Sequence, residues 1–153
     1  MAVCVRPAEI SDLDRLAHLR AQLWPDGPVA EHRKELTDLL ASGRNGTLPM
    51  AILVAADDDG TPVGFLEVGL RSHADGCDPA QPVGFVEGWF VDETLRHRGI
   101  GRALMQAAEE WSRALGCREM ASDTWVDHEQ SIRAHQALGF EIVDRCVNFQ
   151  KPL

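Results

Sequence analysis

The sequence predicts an α+β fold: a mainly antiparallel, mixed β-sheet flanked by helices on both faces. Two observations lead to it. Strand-length apolar runs bounded by turn residues fall between Met50 and Val91, and amphipathic helical stripes stand before and after them. The resulting order is a strand, two helices, three antiparallel strands, then helix, strand, helix and a closing strand. With 153 residues and no long linker, repeat or low-complexity tract, residues 1–153 read as a single domain.

Ala2 to Arg6 reads as the first strand. Ser11 then starts a helix, with Asp14 three residues on as its capping partner. Leu13, Leu16, Ala17, Leu23 and Trp24 fall on one face of it, and Pro25 stops it. A second helix covers Val29 to Ala41, with Leu36, Leu39 and Leu40 inward. Met50 to Ala56, the turn Asp57-Asp58-Asp59-Gly60 and Val63 to Arg71 form a hairpin. Val83 to Val91 is the third long strand. The stretches Gly43 to Pro49 and Ser72 to Pro82 read as irregular.

The clearest helix opens at Ile100. Ile100, Ala103, Leu104, Ala107, Ala108, Trp111 and Leu115 recur at intervals of three and four, the mark of a buried stripe, and Gly116 ends it. Arg118 to Ser122 is a short strand, and Glu129 to Leu138 a helix capped by Gly139. Phe140 to Lys151 is expected to close the chain as one extended strand or two.

Composition excludes several classes. The formal charge is −9. A nucleic-acid binder carries a basic excess instead, so neither nucleic acid nor an anionic membrane is expected as a partner. A cationic ligand and plain solubility both remain open as reasons for the acidic balance. No apolar run approaches the length of a membrane span. Met1 to Glu9 lacks a basic-then-apolar leader pattern, so a cytoplasmic location is expected. Cys4, Cys77, Cys117 and Cys146 form no C-x-x-C pair and fit no zinc template; reduced thiols and no metal are expected.

One segment carries chemistry. Arg96-His97-Arg98-Gly99-Ile100-Gly101 joins a strand to a helix. Glycines there let backbone approach a ligand, and the free N–H groups of a helix start suit a phosphate or pyrophosphate. Arg96, Arg98 and Arg102 reverse the sign of charge locally. The segment is not a P-loop, since Lys and Ser/Thr are absent after the glycines, and it is not G-x-G-x-x-G. A bare R-x-x-G-x-G is equally what a solvated basic helix start looks like.

In context, the chain resembles the GNAT superfamily of acetyl-CoA-dependent N-acetyltransferases. That superfamily has a long strand, then [QR]-x-x-G-x-[GA], then a helix, and later a helix ending in a Gly-Phe pair, as in Ala134 to Phe140. Leu19 to Pro25, Phe85 to Val91, Cys117 to Thr124 and His135 to Phe140 are together similar to one subfamily, the aminoglycoside 6′-N-acetyltransferases. The resemblance spans nearly the whole chain. It implies the GNAT fold, acetyl-CoA as co-substrate, the 6′-amine of kanamycin- and tobramycin-type antibiotics as acceptor, direct attack in a ternary complex, and a homodimer. Acetylation of a polyamine, another small amine or a protein stays open, as does a non-catalytic acetyl-CoA-binding module.

The resemblance also implies roles. His97, Arg98, Gly99, Ile100, Gly101 and Arg102 would hold the pyrophosphate through their backbone. Trp89, Phe90 and Val91 would offer main-chain groups to the pantetheine and acetyl carbonyl, as an added strand would. Asp123 would hold or deprotonate the 6′-amine, and Glu87 would bind another substrate amine or a water. Both sit in or at the end of apolar strands, where a carboxylate is costly without a partner. Trp24, with Gly27 nearby, would contact the sugar, and Asp144 the antibiotic, from either subunit of a dimer.

Two departures stand out. The chain has no tyrosine. The position where many GNAT enzymes place the acid that protonates the departing thiolate is His135, which reads equally as that acid or as a packed core histidine. His128 stands where the superfamily commonly has an Asn binding pantetheine. The loop Ser72 to Pro82 lacks the Tyr often found in close relatives, leaving His73 or Asp75 to face the substrate.

Overall fold

The computed structural model describes residues 2–153. Strands β1 (Cys4–Pro7), β2 (Arg44–Asn45), β3 (Leu48–Ala56), β4 (Pro62–Arg71), β5 (Val83–Val91) and β6 (Met120–Ser122) form one mixed sheet. Its order is β1-β3-β4-β5-β6, with β2 alongside β3. Every pairing is antiparallel except β5 with β6. Helices α1 (Leu13–Leu23) and α2 (Val29–Ser42) precede the sheet's centre in sequence; α3 (Ile100–Ala114) and α4 (Glu129–Ala137) follow it.

The long strands are mostly apolar because helices cover both faces, with Glu67, Arg71 and Glu87 as the charged exceptions. Met50, Ile52 and Val54 of β3 pack with Phe65, Phe90 and the Leu13, Leu16 and Leu36 side chains of α1 and α2. The alternate residues Leu53 and Ala55 pack on the other side with Leu66, Val68 and the Ile100, Leu104, Met105 and Ala108 stripe of α3. Of the stripe its spacing predicts in α3, Ile100, Leu104 and Ala108 are buried and Ala107 and Trp111 half-buried. Leu115 lies past the helix end and is 43% exposed, and Met105, outside that spacing, is buried as well.

Several details differ from the sequence reading. α1 begins at Leu13, after a 3-10 turn over Ile10–Asp12. The capping partner is Asp12, whose Oδ2 accepts the Glu9 N–H at 2.8 Å. Asp14 instead pairs with Arg33 of α2 at 2.6 Å. The irregular stretch after α2 holds the two-residue β2, paired to Leu48 and Pro49 around Gly46 at φ 64°. Such a strand is too short to leave an alternation. β6 is shorter than Arg118 to Ser122, because only its last three residues pair with β5.

The largest correction concerns the C-terminus. Phe140 to Lys151 forms no strand, and residues 141–153 are exposed throughout. Val143, Val147 and Phe149 alternate as a strand's apolar face would, yet Phe149 is 94% exposed. A strand needs a neighbouring edge to bond to, and this tail finds none in its own chain.

Candidate active site

The site begins where β5 and β6 part. They pair only at Gly84–Met120, Phe85–Ala121 and Val86–Ser122. Beyond that, β5 runs on from Glu87 to Val91 with no strand on its β6 side, leaving main-chain groups facing open space apart from the Val91 carbonyl, which Arg96 occupies. A cleft of about 1860 Å3 fills the fork. Trp24, His73, Glu87, Trp89, Phe90, Val91, His97, Ile100, Gly101, Asp123, His128, His135 and Asp144 all line it.

A β-bulge aims Glu87. Glu67 of β4 pairs with Gly88 and Val68 with Val86, so Glu87 is the extra residue on β5. Bulges re-aim side chains in this way. Gly69 lies beside it, in ordinary contact range: a β-carbon there would stand 3.9 Å from Glu87 Oε1. Sequence reading missed its partner. Arg71 donates from Nε and Nη2 to the two Glu87 oxygens, each at 2.9 Å. The Arg71 guanidinium also lies 3.5 Å from the Phe85 ring centroid. An arginine ending a strand gives no signal of this pairing in sequence.

Trp24 is fixed from three sides. Its N–H donates to the Arg20 carbonyl at 2.8 Å, and its own carbonyl lies 2.9 Å from His32 Nε2. Its indole rests on the Gly88 backbone, with the Arg20 guanidinium 5.0 Å from the ring. Arg20 in turn pairs with Glu35 at 2.5 Å and with Glu67 at 2.9 Å. Glu67 is 2% exposed, and burial pushes its carboxyl above the ordinary range despite Arg20. Gly27 stands outside the cleft lining, where it turns the chain between α1 and α2, against Glu31 and His32.

Asp123 follows β6 directly, is exposed, and has no ion pair among the described residues. Asp144 is exposed and accepts the Arg145 N–H at 2.7 Å. Val143 beside it packs against Gly76, where a β-carbon would meet Val143 at 2.7 Å. The tail and the Ser72 to Pro82 loop thus meet over the cleft.

His135 is held by both ring nitrogens. Nδ1 lies 2.7 Å from the Ser131 carbonyl, which only accepts, so Nδ1 carries a proton. Nε2 lies 2.8 Å from Ser122 Oγ. Trp89 and Phe140 meet the ring edge-on, with centroids 5.2 and 5.4 Å away. Ser122 and Ser131 were not singled out in the sequence, because serine near a strand or in a helix is too common to mark. His128 is exposed, its Nδ1 3.5 Å from Thr124 Oγ1.

The loop before α3 suits a phosphate. His97 and Gly99 take left-handed φ of 63° and 82°. The Ala103 N–H is bonded to the Gly99 carbonyl at 3.0 Å, while the N–H groups of Ile100, Gly101 and Arg102 precede that first helical bond. A β-carbon at Gly99 would meet nothing within 4 Å, so the turn is open to a ligand. Arg98 and Arg102 are exposed without ion pairs among the described residues, although they and Gly99 stand beside the cleft lining rather than in it. Arg96 is structural: Nε donates to the Val91 carbonyl at 2.9 Å and the guanidinium lies 5.3 Å from the Phe90 centroid. Free helix-start donors, an unpaired strand edge and two free arginines fit coenzyme A.

The four cysteines are free, and burial raises the thiols of Cys77 and Cys117 above their ordinary value. Among the described residues there is no cluster of three or more metal-ligating side chains, and no helix is long and apolar enough to cross a membrane.

Comparison with known proteins agrees with this geometry. The model of the acetyltransferase (GNAT) family matches residues 14–140. An aminoglycoside N(6′)-acetyltransferase type 1 of Klebsiella aerogenes is 42% identical over 97% of this chain and 96% of its own. The protein of that name from Stenotrophomonas maltophilia is 41% identical over 99% and 95%. The solved structure of AAC(6′)-Iy in complex with the bisubstrate analogue CoA-S-monomethyl-acetylneamine superposes with a TM-score of 0.87. It is 34% identical and covers 100% of both chains.

Proposed function

The chain belongs to the acetyltransferase (GNAT) family and is an acetyl-CoA-dependent N-acetyltransferase, and from that premise we propose that it acetylates the 6′-amine of kanamycin- and tobramycin-type aminoglycosides. One observation carries the reading. The β5–β6 fork lies between a phosphate-suited helix start on one side and an acidic, tryptophan-walled pocket on the other.

Acetyl-CoA supplies the acetyl group as a thioester. Ile100, Gly101 and Arg102 N–H groups, with Arg98 and Arg102 side chains, hold its pyrophosphate. The free edge of Trp89, Phe90 and Val91 bonds to the pantetheine amides as an added strand, and a β5 N–H near Val91 faces the charge that develops on the acetyl oxygen. The donor set leaves His128 a lesser role as a single hydrogen-bond donor.

Asp123 receives the 6′-ammonium and takes its proton, directly or through water, so that the neutral amine attacks. Trp24 presents its indole face to the sugar and its charged groups. Glu87, His73 and Asp144 face the remaining amines and hydroxyls. The proton for the departing thiolate comes through the His135–Ser122 pair. With Nδ1–H held by the Ser131 carbonyl, delivery needs the doubly protonated ring: Nε2–H passes its proton to Ser122 Oγ as the Ser122 hydroxyl gives its own to the thiolate, which leaves a neutral imidazole.

The tail supports a homodimer. Its exposed, alternating Val143, Val147 and Phe149 suit pairing with a second copy, which would carry Asp144 along. Four free cysteines suit the reducing cytoplasm. The decisive experiment is a thiol-release assay over paired 6′-amino and 6′-hydroxy aminoglycosides. Turnover confined to the amino forms is expected; equal turnover of both, or of neither, overturns the reading.

A further inference from the structure

Arg71 lines the cleft, and the reaction described above does not use it. It ends β4, opposite Val83, and its two cleft neighbours come from β5. Phe85 supports it face-on at 3.5 Å, and Glu87 engages it with both oxygens at 2.9 Å. Backbone geometry builds this arrangement. Phe85 and Glu87, two residues apart on β5, share a face; the bulge leaves Glu87 without a directly paired residue on β4, and Arg71 stands two residues beyond Gly69 on that face.

The pairing changes what Glu87 can offer. A carboxylate has about four lone-pair sites, and a guanidinium fork takes two of them. Two acceptor directions remain, but the net charge of the pair is close to zero. Asp123 has no ion-pair partner among the described residues, so no neighbouring cation offsets it. The acids of the pocket are therefore unlike: one attracts any cation, and the other rewards a donor only where its geometry fits.

We infer that Arg71 is a positioning and specificity residue: it fixes the Glu87 carboxylate as an oriented acceptor for the polyfunctional sugar and screens it from simple flexible diamines. The inference rests on the aminoglycoside reading of the same cleft. A flexible diamine finds its second anionic anchor already satisfied by Arg71. A rigid aminoglycoside places ammonium or hydroxyl donors along the two free lone-pair directions. Lysine at this position would keep the charge but lose both the fork and the flat stacking on Phe85.

The test uses the purified full chain with Arg71→Gln and Arg71→Lys. It reads kcat and KM for kanamycin at saturating acetyl-CoA, and inhibition by 1,4-diaminobutane. Uncovering one carboxylate charge at a partly exposed site should strengthen diaminobutane inhibition about fivefold in Arg71→Gln, with kcat for kanamycin reduced. In Arg71→Lys, inhibition should stay within about twofold of wild type while kcat remains reduced, because charge returns without orientation. Unchanged diaminobutane inhibition in Arg71→Gln overturns the inference, including where that variant is merely less stable. If Arg71→Gln does not fold, Arg71→Lys decides: wild-type kcat and KM overturn the inference. Should the wild type fail to turn over kanamycin, the aminoglycoside reading falls. Calorimetric binding of diaminobutane to the same variants then still judges the screening by Arg71.

Discussion

The indole of Trp24 lies so close to the backbone of Gly88 that a β-carbon there would stand 2.6 Å from its Cη2. A helix end and a central strand thus fix one wall of the cleft together, and a side chain at Gly88 would displace the indole.

Gly88→Ala should push Trp24 off its seat. Overpacking of this kind costs about 1–3 kcal/mol, so the protein should still fold. KM for kanamycin should rise severalfold while acetyl-CoA affinity stays near normal. Steady-state kinetics beside calorimetric titration with coenzyme A separates the two; an unchanged KM would remove Trp24 from substrate contact.

Asp123→Ala should lower kcat/KM by about 10²-fold or more, the usual contribution of a positioned general base. Its exposed, unpaired carboxylate supports no neighbouring structure, so thermal stability should be nearly unchanged. Single-turnover rates at saturating acetyl-CoA check it.

His135→Phe and Ser122→Ala address the proton path. If the pair delivers the proton, both variants slow single-turnover chemistry, and the serine variant does so with little loss of stability. If His135 only packs against Trp89 and Phe140, the phenylalanine variant keeps its kcat.

Substrate capture should weaken with salt. Asp123 and Asp144 are exposed acids on the cleft in a chain of net charge −9, and each ammonium of the antibiotic feels that field. KM for kanamycin should rise from low to high ionic strength; a flat KM contradicts electrostatic steering.

Two buried acids set opposite pH trends in stability. Burial by itself would raise Asp12, but the Arg6 fork at 2.7 and 3.0 Å and the Glu9 N–H reverse this and hold its carboxyl below the ordinary value. Its contribution is therefore complete above the unfolded-state value of about 4 and is lost as pH falls through the lower folded value. Glu67 is raised by burial, so its ionisation costs stability as pH rises through the folded value. Asp12→Asn should destabilise at neutral pH by about 2 kcal/mol and lose that deficit in acid. Glu67→Gln should gain on the wild type as pH rises. Urea unfolding from acid to neutral pH reads both.

The sequence alone determined the layers, the long strands and the phosphate-suited helix start, because each is written in local periodicity: apolar runs for β3 to β5, the three- and four-residue recurrence of α3, glycines at a strand-to-helix turn. It also marked Trp24, Glu87, Asp123, His135 and Asp144 through resemblance, and the fold brings these to one cleft. Only the tertiary structure decided their partners. Arg71 on Glu87, Ser122 and Ser131 on His135, and Gly88 under Trp24 are contacts between different elements, fixed by a bulge and by sheet register, which no spacing along the chain encodes. The same limit explains the tail: alternation in Val143 to Phe149 predicts a strand, but a strand exists only where another edge meets its hydrogen bonds.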